Sequence, residues 1–150
     1  MAVGDSKRTS EYDYKSGNGE YNNSTDVFKY VIITEGFTSI DEDAALIGIA
    51  NFTKVASAGN YVQDTTLTGT TWTRTGAVSK LDYNDFNFAA DPANPITGKT
   101  IAIYNDTSTN KDVYKFVDIT ADDGTTAADT TLGLNFTVSA NSAGTITTYV

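Results

Sequence analysis

The fold is decided first by the stretch at residues 27–33, whose sequence is VFKYVII. Lys29 is the one charged side chain in it, so apolar side chains point to both faces of an extended chain. A strand that is apolar on both faces belongs in the interior of a sheet rather than at its edge. The stretch therefore predicts a central β-strand, which ends before Gly36.

After residue 52 the chain has the pattern of short strands separated by turns. It contains 25 threonines, nine tyrosines and seven phenylalanines, which favour sheet surfaces, against two prolines. The predicted strands are Tyr61–Leu67, Thr70–Arg74, Val78–Leu81, Asn84–Phe88, Thr100–Tyr104, Val113–Ile119, Leu132–Val138 and Gly144–Tyr149. We predict an all-β fold: an antiparallel β-sandwich, immunoglobulin-like or jelly-roll-like, with a partly open barrel as the alternative.

One short helix is predicted near residues 40–50. Ser39 and Glu42 have the spacing of a capping box, in which the first side chain caps the helix and the second reaches back. A mainly apolar run follows at residues 44–50. Gly48 lies inside it and disfavours a helix by about 1 kcal/mol relative to alanine.

Residues 1–25 differ in composition from the rest of the chain. They are mostly polar, with glycine and asparagine at 17–19 and 22–23 as breakers. Tyr12, Tyr14 and Tyr21 are the large side chains of this segment, and tyrosine offers a large contact area with few rotatable bonds. We predict an extended N-terminal arm (1–25) that binds a neighbouring subunit through these tyrosines, ahead of a β-sandwich domain (26–150). A disordered leader is the alternative.

The single tryptophan, Trp72, is a further candidate for partner binding. It lies in the strand-like segment Thr70–Arg74. A tryptophan in such a segment packs in a core or anchors an interface more often than it serves as a platform for a sugar.

Histidine and cysteine are both missing from the sequence. Their absence removes the commonest general base, the thiol nucleophile and the usual transition-metal ligands. The glycine-rich phosphate-binding motifs are missing as well, and no pair among the 15 aspartates stands out as catalytic. We therefore predict a protein that is not an enzyme, has no catalytic residues and needs no cofactor.

Acidic residues cluster at Asp41–Asp43, Asp82–Asp85 and Asp122–Asp123. Calcium binds six to eight oxygen ligands from flexible loops, so a calcium loop is one interpretation. The spacing of an EF-hand loop is missing, and aspartate and asparagine are also ordinary turn residues. We predict solvated turns and no metal site.

The net charge is −9, from 19 acidic and 10 basic residues. A surface this negative repels phosphate backbones and anionic lipids, so neither nucleic acid nor membrane is an expected partner. The polar start of the chain has no signal-peptide pattern, and no apolar stretch is long enough to span a bilayer. We expect a soluble protein that is made in a cytoplasm.

The order of several short motifs resembles a family of small tailed-bacteriophage virion proteins encoded among the head and tail structural genes. The motifs that carry the resemblance are Met1–Ser6, Val27–Ile33, Gly59–Leu67, Leu81–Asp82, Ala102–Thr107 and Phe116–Asp118. The resemblance implies a virion structural role and supplies no catalytic residues.

From this resemblance we expect a capsid decoration (cement) protein. It would be made in the bacterial host cytoplasm and bind the major capsid protein on the outer surface of the head as a homo-oligomer. Interface area buried across capsid subunits would stabilise only the assembled shell. The alternative is a head- or tail-fibre component that binds a host-surface receptor.

Overall fold

The computed structural model describes residues 5–75, 78–89, 91–120, 128–129, 136–141 and 144–149. Within these ranges the fold is all-β with one α-helix, α1 (Ser10–Gly17). The strands are β1 (Ser6–Arg8), β2 (Phe28–Ile33), β3 (Thr65–Thr66), β4 (Thr71–Thr75), β5 (Val78–Asp82), β6 (Phe86–Phe88), β7 (Thr97–Gly98), β8 (Thr100–Asn105), β9 (Val113–Asp118), β10 (Ala128–Asp129), β11 (Phe136–Asn141) and β12 (Gly144–Tyr149). Short 3-10 helices span Phe37–Ser39 and Ile49–Asn51.

The largest sheet contains five strands in the order β1-β9-β8-β2-β3, with antiparallel pairing throughout. Strand β2 pairs with β8 along its whole length and with β3 on its other side. The prediction of a central strand at residues 27–33 is therefore confirmed. Val27 lies just outside the strand and is 44% exposed.

Both faces of this sheet are covered by apolar side chains. The first face carries a cluster rich in tyrosine, called the tyrosine cluster below, whose buried members include Tyr12, Phe28, Tyr30, Tyr61, Leu81, Tyr83, Phe88, Ile101, Ile103 and Tyr114. The second face carries Val31, Ile33, Phe37, Ile40, Ile49, Ala102, Tyr104, Val113 and Phe116. Two-sided burial explains why β2 and β8 are almost continuously apolar rather than alternating.

The remaining strands form smaller antiparallel sheets. Strand β4 pairs with β5, β7 pairs with β10, and β11 lies between β12 and β6. Strands β4, β5 and β6 contribute Trp72, Leu81 and Phe88 to the tyrosine cluster, so they pack over the first face. The antiparallel all-β character is confirmed.

A β-bulge interrupts the pairing of β8 with β9 between Ile103 and Tyr104. A bulge inserts one extra residue, and here the sequence alternation of β9 is broken. Tyr114 packs in the tyrosine cluster together with Val117, whereas Val113 lies on the second face. The side chains of β9 therefore do not alternate simply between the two faces of the sheet.

The N-terminal segment differs from the predicted extended arm. Residues 6–8 form β1, which pairs with β9 at the edge of the five-stranded sheet, and residues 10–17 form helix α1. Tyr12 is fully buried in the tyrosine cluster. The burial of Tyr12 and the pairing of residues 6–8 with β9 hold this segment against the strands of the predicted 26–150 domain.

The predicted helix near residues 40–50 is wrong. Asp41 instead accepts a hydrogen bond from the Asp43 backbone N–H at 3.0 Å, which starts a turn. The segment then runs beside the start of β9, where the Ile49 N–H donates to the Lys111 carbonyl and the Val113 N–H donates to the Ile47 carbonyl. Long-range backbone pairing has overridden the local helix signal.

The downstream strands follow the sequence pattern closely. Strands β4, β5, β6, β8 and β9 lie within one or two residues of their predicted positions. Strand β11 overlaps the predicted strand Leu132–Val138, of which residues 132–135 lie outside the described part, and it pairs with β12 at the predicted position Gly144–Tyr149. Of the predicted strand Tyr61–Leu67, two residues form β3. In the described ranges no helix is long and apolar enough to cross a membrane.

Candidate functional site

A polar network joins the N-terminal segment to the loop between β8 and β9. Its centre is Asp112, which is 3% exposed. One carboxylate oxygen of Asp112 accepts a hydrogen bond from the Lys15 amino group at 3.0 Å and another from the Tyr21 hydroxyl. Lys15 also lies 3.7 Å from Glu11, one turn earlier on α1. Burial and the bond to Asp112 raise the pKa of the Tyr21 hydroxyl well above its usual range.

Tyr12 forms the second part of this network. Its hydroxyl donates to the Asn23 side chain at 2.6 Å and accepts from the Asn105 amide at 3.2 Å. Its ring stacks on Tyr21 with 4.7 Å between centroids. The Asn105 amide also donates to Asp26 at 2.6 Å. Polar groups buried here are paired, as buried polar groups must be to avoid a desolvation penalty.

The structure separates the three tyrosines that the sequence grouped as partner contacts. Tyr12 is fully buried, and Tyr21 packs partly buried against the tyrosine cluster. Tyr14 is 65% exposed and points away from Tyr12 on α1. Of the three, Tyr14 is therefore the one that this conformation leaves accessible to a partner.

Trp72 packs at the margin of the tyrosine cluster. Its ring meets Tyr114 edge-on with 5.8 Å between centroids, and the Arg8 guanidinium lies 5.9 Å from its centre. Arg8 is also 5.0 Å from the Tyr114 ring and pairs with Asp13 of helix α1. Trp72 thus helps to hold strand β1 against the cluster. Core packing is one of the two roles, with interface anchoring, that the sequence favoured over a ligand platform.

An open groove of about 480 Å³ lies beside the Asp112 network. It is bounded by Lys15, residues 45–51 and residues 109–112. Leu46, at its rim, is 77% exposed, which makes it the most exposed large apolar side chain among the described residues. This position was not recognised from the sequence, because Leu46 lies within the apolar run of the helix predicted near residues 40–50.

One wall of the groove is formed where residues 47–49, which were predicted to be helical, pair instead with residues 111–113. Gly48 forms an antiparallel bridge with Asp112, and a Cβ atom at Gly48 would come within 2.8 Å of the Asn110 carbonyl oxygen. The wall therefore requires glycine at this point. Because Asp112 also binds Lys15 and Tyr21, the same residue fixes the groove and the N-terminal segment.

Lys115 is a further unusual group that sequence reasoning did not single out. It is 5% exposed, and its amino group lies 5.8 Å from the centre of the Tyr83 ring and 5.7 Å from that of Tyr114. Burial lowers the pKa of Lys115 to about 8, and the positive charges of Arg8 and Lys80 add to this effect. One indication of this unusual group was present in the sequence, which is the position of a lysine among the apolar residues of strand β9.

The acidic clusters do not converge on a common point in the described part of the chain. No group of three or more acidic side chains is arranged there to hold a metal ion. Asp82 lies 3.8 Å from Lys80, and Asn84 donates to the Thr68 hydroxyl at 3.2 Å. Asp41 forms the turn described above, and Asp122–Asp123 lie outside the described residues.

Comparison of the chain with protein-family models, with curated proteins and with solved structures finds no match.

Proposed function

We propose that this protein is a capsid decoration protein of a tailed bacteriophage. It is made in the host cytoplasm and binds the major capsid protein on the outer surface of the head, where it stabilises the shell as a homo-oligomer. The proposal includes the finer fold, an antiparallel β-sandwich of immunoglobulin-like or jelly-roll-like type, which is supported by the packing of β4–β6 over one face of the five-stranded sheet.

The observation that supports a binding role is the exposed Leu46 at the rim of the groove. Covering a leucine side chain contributes about 1.5–3 kcal/mol, so Leu46 is a natural anchor for a segment of another protein. The groove wall is fixed by the Gly48–Asp112 bridge and the Lys15–Asp112 ion pair. A preformed surface loses less conformational entropy on binding than a flexible one.

The charge of the chain supports the same proposal. With a net charge of −9, the protein is attracted to a basic surface and repelled by copies that approach without complementary contacts. Such a protein remains soluble before it reaches the head. Attachment then depends on a specific site rather than on general adhesion.

The experiment compares two variants on particles that lack this protein. Leu46→Ser removes the proposed anchor, and Val62→Ser removes another exposed apolar side chain, 62% accessible, that lies away from the groove. After incubation and sedimentation, we expect Leu46→Ser to be retained about tenfold less than the wild type, with an unchanged melting temperature. Val62→Ser should be retained like the wild type.

Equal retention of Leu46→Ser and wild type would contradict the groove as the contact surface. Failure of the wild type itself to bind particles would contradict the decoration role. The copy number in purified virions separates this role from its alternative, because a decoration protein is present in many copies per particle whereas a head- or tail-fibre component is present in few.

A further inference from the structure

Lys115 lies in surroundings that disfavour its charged form. Strand pairing sets Arg8 of β1 opposite Lys115 of β9, with Lys80 nearby on β5, so two other cations act on the ammonium group. The nearby carboxylate of Asp82 opposes their effect, but it lies closer to Lys80. Asp13 is paired with Arg8. Among the described residues Lys115 has aromatic neighbours and no ion pair.

The consequence is an amine that is partly neutral under physiological conditions. With a pKa of about 8, about a tenth of Lys115 is unprotonated at neutral pH. A lysine with the ordinary pKa is neutral in fewer than about one molecule in a thousand at that pH. The neutral amine is the nucleophilic form. With 5% of its surface exposed, Lys115 is reached most readily by a small uncharged electrophile.

We propose that Lys115 is a carbon dioxide-binding site, at which its amino group forms a reversible carbamate near the cationic side chains of Arg8 and Lys80. The lone pair of the neutral nitrogen attacks the carbon of CO₂, and one C=O π pair moves onto oxygen. The nitrogen then releases one proton to solvent, so that amine and CO₂ give carbamate anion and H⁺ without an oxidant or a further reactant.

The charges around Lys115 favour this product. The same two cations that destabilise an ammonium group attract a carbamate anion. Arg8 is held close to the site because its guanidinium lies over the Tyr114 ring and pairs with Asp13. Carbamate formation thus replaces a repelled cation with an attracted anion at one buried position. This inference is independent of the proposed role on the capsid.

The experiment is carbon-13 NMR of the full-length protein equilibrated with ¹³C-labelled bicarbonate and CO₂. Besides the carbamate of the α-amino group, whose ordinary pKa is also about 8, we expect a second carbamate resonance in the wild type. This second resonance should be absent in Lys115→Met and retained in Lys111→Met, which removes an exposed lysine. At constant dissolved CO₂, the resonance should weaken more than about tenfold between pH of about 8.5 and 6.5, because protonation removes the nucleophile.

A second measurement uses the wild type alone, so it does not depend on the folding of any variant. Alkylation with a trialkyloxonium salt converts a carbamate to a stable ester, whose position is then found by peptide mass spectrometry. Modification at Lys115 that requires CO₂ supports the proposal. Persistence of the second carbamate resonance in Lys115→Met, or the absence of a CO₂-dependent ester at Lys115, overturns it.

Discussion

Tyr12 and Tyr14 are two positions apart on helix α1, yet one is fully buried and the other is 65% exposed. Truncating a buried aromatic side chain removes its contacts and leaves a cavity. We expect Tyr12→Ala to lower the free energy of unfolding by about 3–5 kcal/mol, and Tyr14→Ala to change it by less than about 0.5 kcal/mol. Urea denaturation followed by circular dichroism measures both. Similar losses in the two variants would mean that Tyr12 is not in the core.

Lys115 gives a prediction with a defined pH dependence. Its pKa is about 8 in the folded protein and has the ordinary value of 10.5 in the unfolded chain. Between these values the unfolded chain binds more protons, so stability rises with pH in this window. Below pH 8 Lys115 is charged in both the folded and the unfolded protein, so the free-energy cost of burying the charge is at its largest.

We therefore expect Lys115→Met to stabilise the protein at pH 7 by about 1–3 kcal/mol. The gain should shrink as the pH rises from about 8 to about 10.5. Chemical denaturation at several pH values measures it, with Lys111→Met as the control that should be nearly neutral. A gain that does not depend on pH would show that packing, not charge, is responsible.

Among the elements, β1 and α1 are those whose removal has the clearest expected effect on stability. Thr9, between them, donates its hydroxyl to the Val113 carbonyl at 2.6 Å, and Tyr12 lies in the core. We expect deletion of residues 2–24 to abolish cooperative thermal unfolding, because the loss approaches the total stability of a typical domain, about 5–15 kcal/mol. Near-ultraviolet circular dichroism, recorded as the temperature is raised, measures this loss of cooperative unfolding. A truncated chain that melts like the wild type would restore the separate arm predicted from the sequence.

Strand β7 supplies a glycine test. A Cβ atom at Gly98 would overlap Cγ2 of Ile32, whereas one at Gly17, at the end of α1, would have nothing within 4 Å. We expect Gly98→Ala to destabilise the protein by about 1–3 kcal/mol through overpacking. Gly17→Ala should be neutral or slightly stabilising, since alanine favours helix. Differential scanning fluorimetry distinguishes them, and equal melting temperatures would show that β2 can move aside.

Elements whose signal is local could be predicted from the sequence. Strand β2 follows from its apolar run, and the hairpins β4–β5 and β11–β12 follow from short strands near each other in the chain. Helix α1 could not be predicted, because eight residues form little helix alone and Tyr12 finds its partners far away in the sequence. The helix predicted near residues 40–50 was wrong because of contacts that are also distant in the sequence: residues 111–113 pair with its backbone.

For the whole molecule, the buried tyrosines set the alkaline limit of stability. Burial raises the pKa of Tyr61 to about 12 and those of Tyr12 and Tyr104 further still. Above about pH 10 the unfolded chain loses tyrosine protons that the folded protein keeps. We expect the urea midpoint to fall steadily between about pH 10 and 12. A constant midpoint would contradict the burial of these hydroxyls.

The candidate sites were less predictable than the fold. Leu46 and Lys115 stand out through exposure and burial, which depend on residues distant in the sequence. Composition indicated a binding role and an acidic surface, but it could not show that Tyr12 and Tyr21 would be used within the chain. The bulge in the pairing of β8 with β9, at Ile103 and Tyr104, also changes which side chains of β9 lie on each face of the sheet. The periodicity of the sequence cannot predict such an extra residue.

The pairing of β1 with β9 has a consequence for synthesis on the ribosome. Thr9 and its partner Val113 are separated by 104 positions. Ribosomes add about 5–20 residues each second, so the first strand and helix wait several seconds before their partners emerge. Strand β8 emerges only shortly before β9, so the five-stranded sheet is completed near the end of that interval, while β10, β11 and β12 emerge later still. The nascent chain therefore has an exposed, aromatic-rich N-terminus for most of its synthesis, the period in which a chaperone or a sister chain could bind it.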